Sequence, residues 1–252
     1  MPSAPSGPSA TPALSIVVPV YNEALRIERT LPQFVTYLRA ATYTSELVVV
    51  DDGSADATAE LARGLVPADA GRVLAEPHRG KGGAVRAGML AARGRHRIFM
   101  DVDLATPLEF VTPCLARLDA GADVVVGSRR VAAAAIEQPQ PPLREFLGRG
   151  FSWLSRTVSG VQVADFTCGF KGFSAGAARA IFTRQRIVNW SFDTEILFLA
   201  TALGLSVAEL PVRWRDDART KVRLGRDIAG SLSGLLAIRL HHLAGRYDLP
   251  AR

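Results

Sequence analysis

A chain of 252 residues, 48% hydrophobic and 21% charged, has the length for one large globular domain or a domain with an appendage. A net charge of +6 suits phosphorylated substrates or an anionic membrane surface, but no stretch interleaves aromatic and basic residues as a nucleic-acid surface would, so nucleic acid is not expected as a partner. No segment reaches the roughly 20 apolar residues of a membrane span, and Cys114 and Cys168 form neither a disulfide framework nor a metal-ligand spacing, which makes the cytoplasm the expected compartment.

Residues 1–13, MPSAPSGPSATPA, carry no charge and little to bury, and are expected to form a disordered tail. They lack the basic start and apolar run of a signal peptide. Leu14 to Val20 (LSIVVPV) reads as a buried strand, followed by a loop at Tyr21-Asn22-Glu23. Ala24 to Ala40 has helical spacing, with Leu25, Leu31, Phe34, Val35 and Leu38 apolar. A second strand, Glu46 to Val50, runs into Asp51-Asp52-Gly53-Ser54, and Ser54 or Asp56 is placed to cap a helix Ala57 to Leu65. Then follow a short strand Arg72 to Ala75, a helix Ala84 to Arg93 entered through Gly80 to Gly83, a strand Arg97 to Met100, a helix Pro107 to Ala120 and a strand Asp123 to Gly127.

Strands and helices alternate through Gly127, and the unbroken Val/Ile runs point to strands buried on both faces. The fold class is therefore α/β: a doubly wound, mostly parallel sheet with helices on both faces. Such sheets bind ligands beyond the carboxyl ends of their strands, and each polar cluster up to Gly127 follows a strand. After Arg130 the pattern changes to an expected mobile loop at Ala132 to Pro142, a helix Leu143 to Ser159 and an irregular Gly-containing stretch Asp165 to Phe173. Helices Ala175 to Phe182 and Phe192 to Leu203 and a strand Ser206 to Val212 follow. Basic residues Arg219, Lys221, Arg223 and Arg226 precede a helix Arg226 to Gly245, whose Ile228, Leu232, Leu235, Leu236, Leu240 and Leu243 cluster on one side. That stripe suits either a membrane-surface helix or one packed on the domain.

Among the motifs, MDVDLATP (100–107) is the most informative. On a strand Asp101 and Asp103 would share one face. Two hard oxygen ligands so placed suit Mg2+ or Mn2+ holding a diphosphate. A carboxylate at the Asp51-Asp52 turn suits a base or ribose. The turn HRGKGGAVRAG (78–88) sets Lys81 among glycines at a helix start, where an anion is favoured, but it matches neither a Walker A loop nor a dinucleotide fingerprint. Gly127-Ser128-Arg129-Arg130 ends a strand with the forked donors that suit phosphate. Asp193 and Glu195 open a helix, where a carboxylate either meets a sugar hydroxyl, acts as a base or compensates the helix dipole.

Taken in order, VPVYNE (18–23), VVVDDGSADAT (48–58), GKGGAVRAGM (80–89), DVDLATP (101–107), VVGSRR (125–130), FTCGFKGF (166–173), WSFDTEIL (190–197) and Val212-x-Trp214 with the following TKVR resemble a family 2 glycosyltransferase with the GT-A fold. The resemblance covers about residues 14–223 and is greatest to the dolichyl-phosphate β-glucosyltransferase and mannose synthase group, with DLATP on the glucosyl side. It implies a GT-A domain over 14–225 and an amphipathic helix and tail over 226–252. It further implies inverting transfer of a hexose, glucose before mannose, from UDP-glucose or GDP-mannose to a polyprenyl phosphate; many members of the group carry transmembrane helices, and without such a span this enzyme is expected to be peripheral on the cytoplasmic face of a membrane. Carried over position by position, it puts Pro19, Tyr21, Glu23 and Asp52 along the nucleotide, with Lys81 and Gly82 against it. Asp101 would touch the nucleotide or the metal, Asp103 would bind Mg2+ or Mn2+ directly, Arg129 would meet the acceptor phosphate with Lys221 and Arg144, and Asp193 would face the donor sugar or acceptor.

The chain departs from the mannose synthases at Ala105, where they often carry a Gln that ligates the metal. Water or diphosphate would then complete the coordination. Two other readings stay open: a soluble transferase with a non-lipid acceptor, and a non-catalytic sugar-nucleotide binding protein.

Overall fold

The computed structural model describes residues 11–132, 134–138, 142–215 and 224–250; the side chains of 136–138, 142–145, 224–229 and 231 lie outside that description. Most of the expected tail therefore falls outside it, while Pro12 and Ala13 accept backbone bonds from Arg95 and His96.

The first half follows the sequence pattern closely. Strand β1 (Leu14–Val20) leads to helix α1 (Ala24–Ala40), β2 (Ser45–Asp51) to α2 (Thr58–Leu65), β3 (Gly71–Ala75) to α3 (Lys81–Ala91) and β4 (His96–Met100) to a 3₁₀ turn, Leu108–Phe110, that runs into α4 (Val111–Asp119). β5 is Val124–Ser128. The first residue of α2 is capped differently from expectation: Ala57 holds the cap position, and Asp56 accepts the Thr58 N–H at 3.0 Å from one residue further back.

The main sheet has seven strands in the order β3-β2-β1-β4-β7-β5-β8. β1, β2, β3 and β4 are mutually parallel, as are β5 (Val124–Ser128) and β8 (Val207–Pro211). Side chains alternate across the sheet. Ile16, Val18, Leu47 and Val49 pack with Ile27, Leu31 and Phe34 of α1 on one face, and Val17, Val48 and Val50 pack with Ala84, Val85 and Met89 of α3 on the other. Each such buried aliphatic side chain contributes about 1.5–3 kcal/mol. The chain steps outward from β1 to β3, then returns to the other flank of β1 as β4. The strand order thus reverses between β1 and β4, and a crevice at such a point is where open α/β sheets bind ligands.

Two elements correct the sequence reading. Phe170–Ser174, expected to be irregular, is strand β7, antiparallel between β4 and β5 in the middle of the sheet. Its Gly172 and Lys171 hid the strand pattern. The glycine lies so close to α4 that a Cβ would sit 2.4 Å from Cys114 Sγ, and the buried lysine is held by partners far apart in sequence. Ala135–Gln138, within the expected loop, is β6, which pairs in parallel with β9 (Arg213–Arg215) as a separate two-stranded sheet. The remaining helices are α5 (Pro142–Ser159), α6 (Ala175–Arg184), α7 (Phe192–Ala202) and α8 (Leu224–Leu243). From Phe192 to Ala200 every residue of α7 is buried, Asp193 and Glu195 included. On α8 the expected stripe divides: Leu235 is buried, together with Ile238, which the stripe did not include, whereas Leu232, Leu236, Leu240 and Leu243 are exposed; the side chain of Ile228 lies outside the description.

Candidate active site

The loops after β1, β2 and β4 and the start of α3 converge at the crevice. Pro19 lies in β1 past its last pairing with β4, Val17 opposite Phe99, so its missing N–H leaves no gap in that ladder. Beyond it, Asn22 takes a left-handed conformation (φ 51°), and its N–H donates to Ser54 Oγ at 2.8 Å. Glu23 donates its N–H to Thr58 Oγ1 at 2.7 Å and holds Arg26 with its carboxylate at 2.5 Å. The two turns are thereby laced into one wall.

Asp52 is buried, and its carboxylate accepts the N–H groups of Arg79 and Gly80, both at 2.9 Å, and contacts His78 Nδ1 at 2.8 Å. It therefore shapes the turn that opens α3, where Gly80 has φ +101°, a conformation that favours glycine. The His78 ring stacks on Tyr21, with centroids 4.1 Å apart. Of the two neighbouring aspartates, Asp51 has acceptor capacity left: its Oδ1 is buried without a hydrogen-bond partner among the described residues. The sequence reading had chosen Asp52 for this wall; which carboxylate is spent depends on the 78–80 turn, which lies 26 or more residues away in sequence.

At the helix start, Lys81 Nζ is 2.6 Å from Asp101 Oδ1 and 5.5 Å from the centroid of the Trp190 ring. Burial works against the ammonium, but Asp101 and then Asp193 outweigh it, and the lysine pKa is raised. Gly82 donates its N–H to the Val188 carbonyl at 2.9 Å.

Contrary to expectation, Asp101 and Asp103 do not lie on a strand, because β4 ends at Met100. A turn holds them instead, in which Leu104 adopts φ 54° and Ala105 donates its N–H to Asp103 Oδ1 at 2.9 Å. A left-handed leucine is strained, and such strain gathers at functional sites. Asp101 is fixed from behind by Gly169, whose carbonyl accepts the Asp101 N–H at 3.0 Å. A Cβ on Gly169 would lie 1.9 Å from Asp101 Oδ2, so only glycine fits. Burial, reinforced by the Asp101 carboxylate, pushes Asp103 up to about 6. Two hard oxygen donors that repel one another fit a divalent cation such as Mg2+ or Mn2+. No group of three His, Cys, Asp or Glu suited to a metal occurs among the described residues, so a cation held by this pair would need diphosphate oxygens or water at its other positions.

Across the crevice Arg129 is largely committed. Its Nε and Nη2 donate to Asp165 at 2.6 and 2.8 Å, Nη2 also donates to Thr167 Oγ1, and the guanidinium lies 5.2 Å from the Trp214 ring centroid. Burial opposes the Asp165 charge, but Arg129 overrides it and holds the carboxyl at about 2. Sequence reasoning gave Asp165 and Trp214 no role; the FTCGFKGF and Val212-x-Trp214 motifs beside them were the available signal. Asp193 is buried with Lys171, whose Nζ donates to Asp193 Oδ1 at 2.6 Å and to the carbonyls of Phe166 and Cys168. Burial raises the Asp193 pKa despite that lysine. Arg144 and Lys221, assigned to the acceptor phosphate, lie outside the described side chains and residues respectively.

Residues 15–182 match the model of glycosyl transferase family 2. The chain is 38% identical over 249 residues to dolichyl-phosphate beta-glucosyltransferase ALG5C of Trichomonas vaginalis, covering 93% of this chain and 73% of that protein. It is 36% identical to the dolichyl-phosphate beta-glucosyltransferase of Drosophila melanogaster (85% and 73% covered) and 31% identical to that of Homo sapiens (96% and 79%). Among solved structures it resembles glucosyl-3-phosphoglycerate synthase from Mycobacterium tuberculosis in complex with Mn2+, uridine diphosphate and glucosyl-3-phosphoglycerate. There the TM-score is 0.65 at 22% identity, over 96% of this chain and 82% of that one. That likeness establishes the GT-A fold.

Proposed function

Since the chain belongs to glycosyl transferase family 2, we propose that it is a polyprenyl-phosphate β-glucosyltransferase that moves glucose from UDP-glucose to a lipid phosphate with inversion. The observation that carries this reading is the Asp101–Asp103 turn facing Lys81 at the sheet's switch point, in a chain with 31–38% identity to dolichyl-phosphate beta-glucosyltransferases.

The donor's nucleotide would lie against Pro19, Tyr21, Glu23 and the turn organised by Asp52, with the unpartnered Asp51 oxygen as acceptor for a base or ribose donor. Lys81 would take the diphosphate, since an ammonium group favours an anion, while Gly82, whose N–H is spent on the Val188 carbonyl, would lie against the nucleotide site by letting the α3 start pack closely on Phe192. Asp101 and Asp103 would hold Mg2+ or Mn2+, and the bound cation would offset the charge that develops on the departing diphosphate.

The acceptor phosphate is ionised at neutral pH, so no base is needed. Its oxygen attacks the anomeric carbon from the face opposite the leaving group, a carbon–oxygen bond forms, and the bond to UDP breaks with its electron pair leaving on the diphosphate. Arg129, with Lys221 and Arg144, would hold the acceptor phosphate in line and offset its repulsion from the donor. Arg129 brings a guanidinium already oriented by Asp165. With Lys171 on its carboxylate, Asp193 fits a sugar-hydroxyl contact better than a base.

The exposed leucines of α8 would meet the membrane interface on the cytoplasmic side, which suits a lipid acceptor; no described helix is long and apolar enough to cross a bilayer. The proposed functional division sets the transferase at 14–225 and a membrane-contacting helix and tail at 226–252.

The test is incubation of the purified protein with Mn2+ or Mg2+ and polyprenyl phosphate, offering UDP-glucose and GDP-mannose separately, with mass-spectrometric detection of glycolipid. Glucosyl lipid from UDP-glucose is expected, and Asp103→Asn should lower its formation at least about 10²-fold, the scale of losing a group that stabilises the departing charge. Donor hydrolysis without glycolipid, or glucose found on a soluble phosphorylated acceptor, would overturn the lipid reading.

A further inference from the structure

Glu195 takes no part in this chemistry, yet it is a fully buried carboxylate, and burial pushes it up to about 7. Three donors converge on it. The backbone N–H groups of Arg186 and Ile187 reach it at 3.0 and 2.8 Å, and the Tyr247 hydroxyl donates at 2.7 Å. The first two belong to the segment 185–191 that joins α6 to α7, and the third comes from the chain beyond α8.

One edge of segment 185–191 holds the start of α3. Gln185 Nε2 donates to the Gly82 carbonyl at 2.9 Å, the Val188 carbonyl accepts the Gly82 N–H, and Trp190 lies against Lys81. The other edge is held by the C-terminal region. Arg186 Nε donates to the Arg246 carbonyl at 2.8 Å, and Asn189 Nδ2 donates to the Gly230 carbonyl at 3.2 Å. Gly234 is packed so closely that a Cβ there would lie 2.4 Å from Ser191 Oγ. Tyr247 is buried, its ring packed with Phe198 and His241.

A hydrophobic residue at 195 would fill this space without the cost of desolvating a carboxylate. What the carboxylate adds is direction: it fixes two successive amides of one segment and one hydroxyl of another. We propose that Tyr247 and Glu195 form a latch through which the C-terminal segment 246–248 positions the start of α3, and with it Lys81, for the donor diphosphate. Both are positioning residues, acting through segment 185–191 on a site that neither touches. The inference rests on the donor-site reading above.

The test is titration calorimetry of the full chain with UDP and Mn2+, together with steady-state kinetics on UDP-glucose. Tyr247→Phe keeps the ring and removes the hydroxyl. Arg186→Ala removes an exposed side chain that ties the tail to the segment, without opening the core. Tyr43→Phe removes a hydroxyl from the contact between Tyr37 of α1 and Tyr43 of the loop before β2 and is the control for mere loss of stability. Tyr247→Phe should weaken UDP and raise KM for UDP-glucose by about 5- to 10-fold, the scale of one hydrogen bond to a charged group partly transmitted, with kcat within about twofold of the parent. Arg186→Ala should shift both in the same direction, and Tyr43→Phe should leave both in place. If Tyr247→Phe and Arg186→Ala bind UDP as the parent does, the latch is structural only and the proposal fails. If the parent itself binds no UDP, it is the donor-site reading that fails.

Discussion

Gly169 shows how a single residue can set the geometry of a site it adds no functional group to. It accepts the Asp101 N–H on its carbonyl and leaves the carboxylate its place by having no side chain. Gly169→Ala would drive Asp101 from that place, and because Asp101 is partly exposed it can swing outward without unfolding the protein. The expected result is a fall in kcat of about 10²-fold, the usual cost of displacing a reacting-site group by an ångström, with the fold retained. Transfer assays alongside a circular-dichroism melt measure both, and full activity in this variant would deny Asp101 its proposed role. The same dependence on neighbours separates Asp51 from Asp52. They are adjacent in sequence, but the 78–80 turn uses Asp52 and leaves an oxygen of Asp51.

At the scale of elements, α8 does two jobs on two faces. Leu235 and Ile238 join the core with α7, and Leu232, Leu236, Leu240 and Leu243 form a solvent-facing row at helical spacing. The sequence stripe put Leu235 with the exposed leucines and left out Ile238, because apolar spacing on one helix does not reveal which side chains a neighbouring helix will cover. Leu236→Asp with Leu240→Asp alters exposed positions alone, so the fold and UDP binding should survive. Co-sedimentation with anionic vesicles should drop at least about tenfold, since each leucine is worth roughly 1.5–3 kcal/mol when moved out of water. Unchanged vesicle binding would remove the membrane role from this row. Helix α7 is the counterpart: from Phe192 to Ala200 it is buried all round, so Asp193 and Glu195 answer to Lys171 and Tyr247 rather than to solvent.

Across the whole molecule, buried carboxylates make stability depend on pH. Burial raises Glu195 to about 7 and Asp103 to about 6, and raises Asp193 as well, so the folded state binds these protons more tightly than the unfolded chain. Stability from these groups is therefore fullest below their unfolded values, falls as pH rises through roughly 4 to 7, and levels off above that range. Glu46 acts oppositely. Burial would raise it, but hydrogen bonds from Ser15 and Arg93 and the Arg72 charge lower it, so its contribution is present above its unfolded value and lost at more acid pH. Urea unfolding between pH 4.5 and 7.5 should show declining stability, and Glu195→Gln should flatten the slope by on the order of 3 kcal/mol over the range. A parent protein whose stability rises across this window would contradict the assignment.

The alternation of Val/Ile strands with amphipathic helices through Gly127 determined the doubly wound sheet, because burial on both faces and a return helix leave few other arrangements. The same logic put Tyr21, Asp52, Lys81 and Asp101 after strands, on one edge. Only the tertiary structure decided that Phe170–Ser174 enters the sheet antiparallel between β4 and β5, since a lysine and a glycine in a five-residue strand become favourable only once distant partners are in place. It likewise decided which acid is paired with which base: Asp165 with Arg129, Asp193 with Lys171, and Asp101 with Lys81. Local sequence sets periodicity through backbone geometry, whereas charge pairing depends on through-space distances that appear only when the strands have assembled.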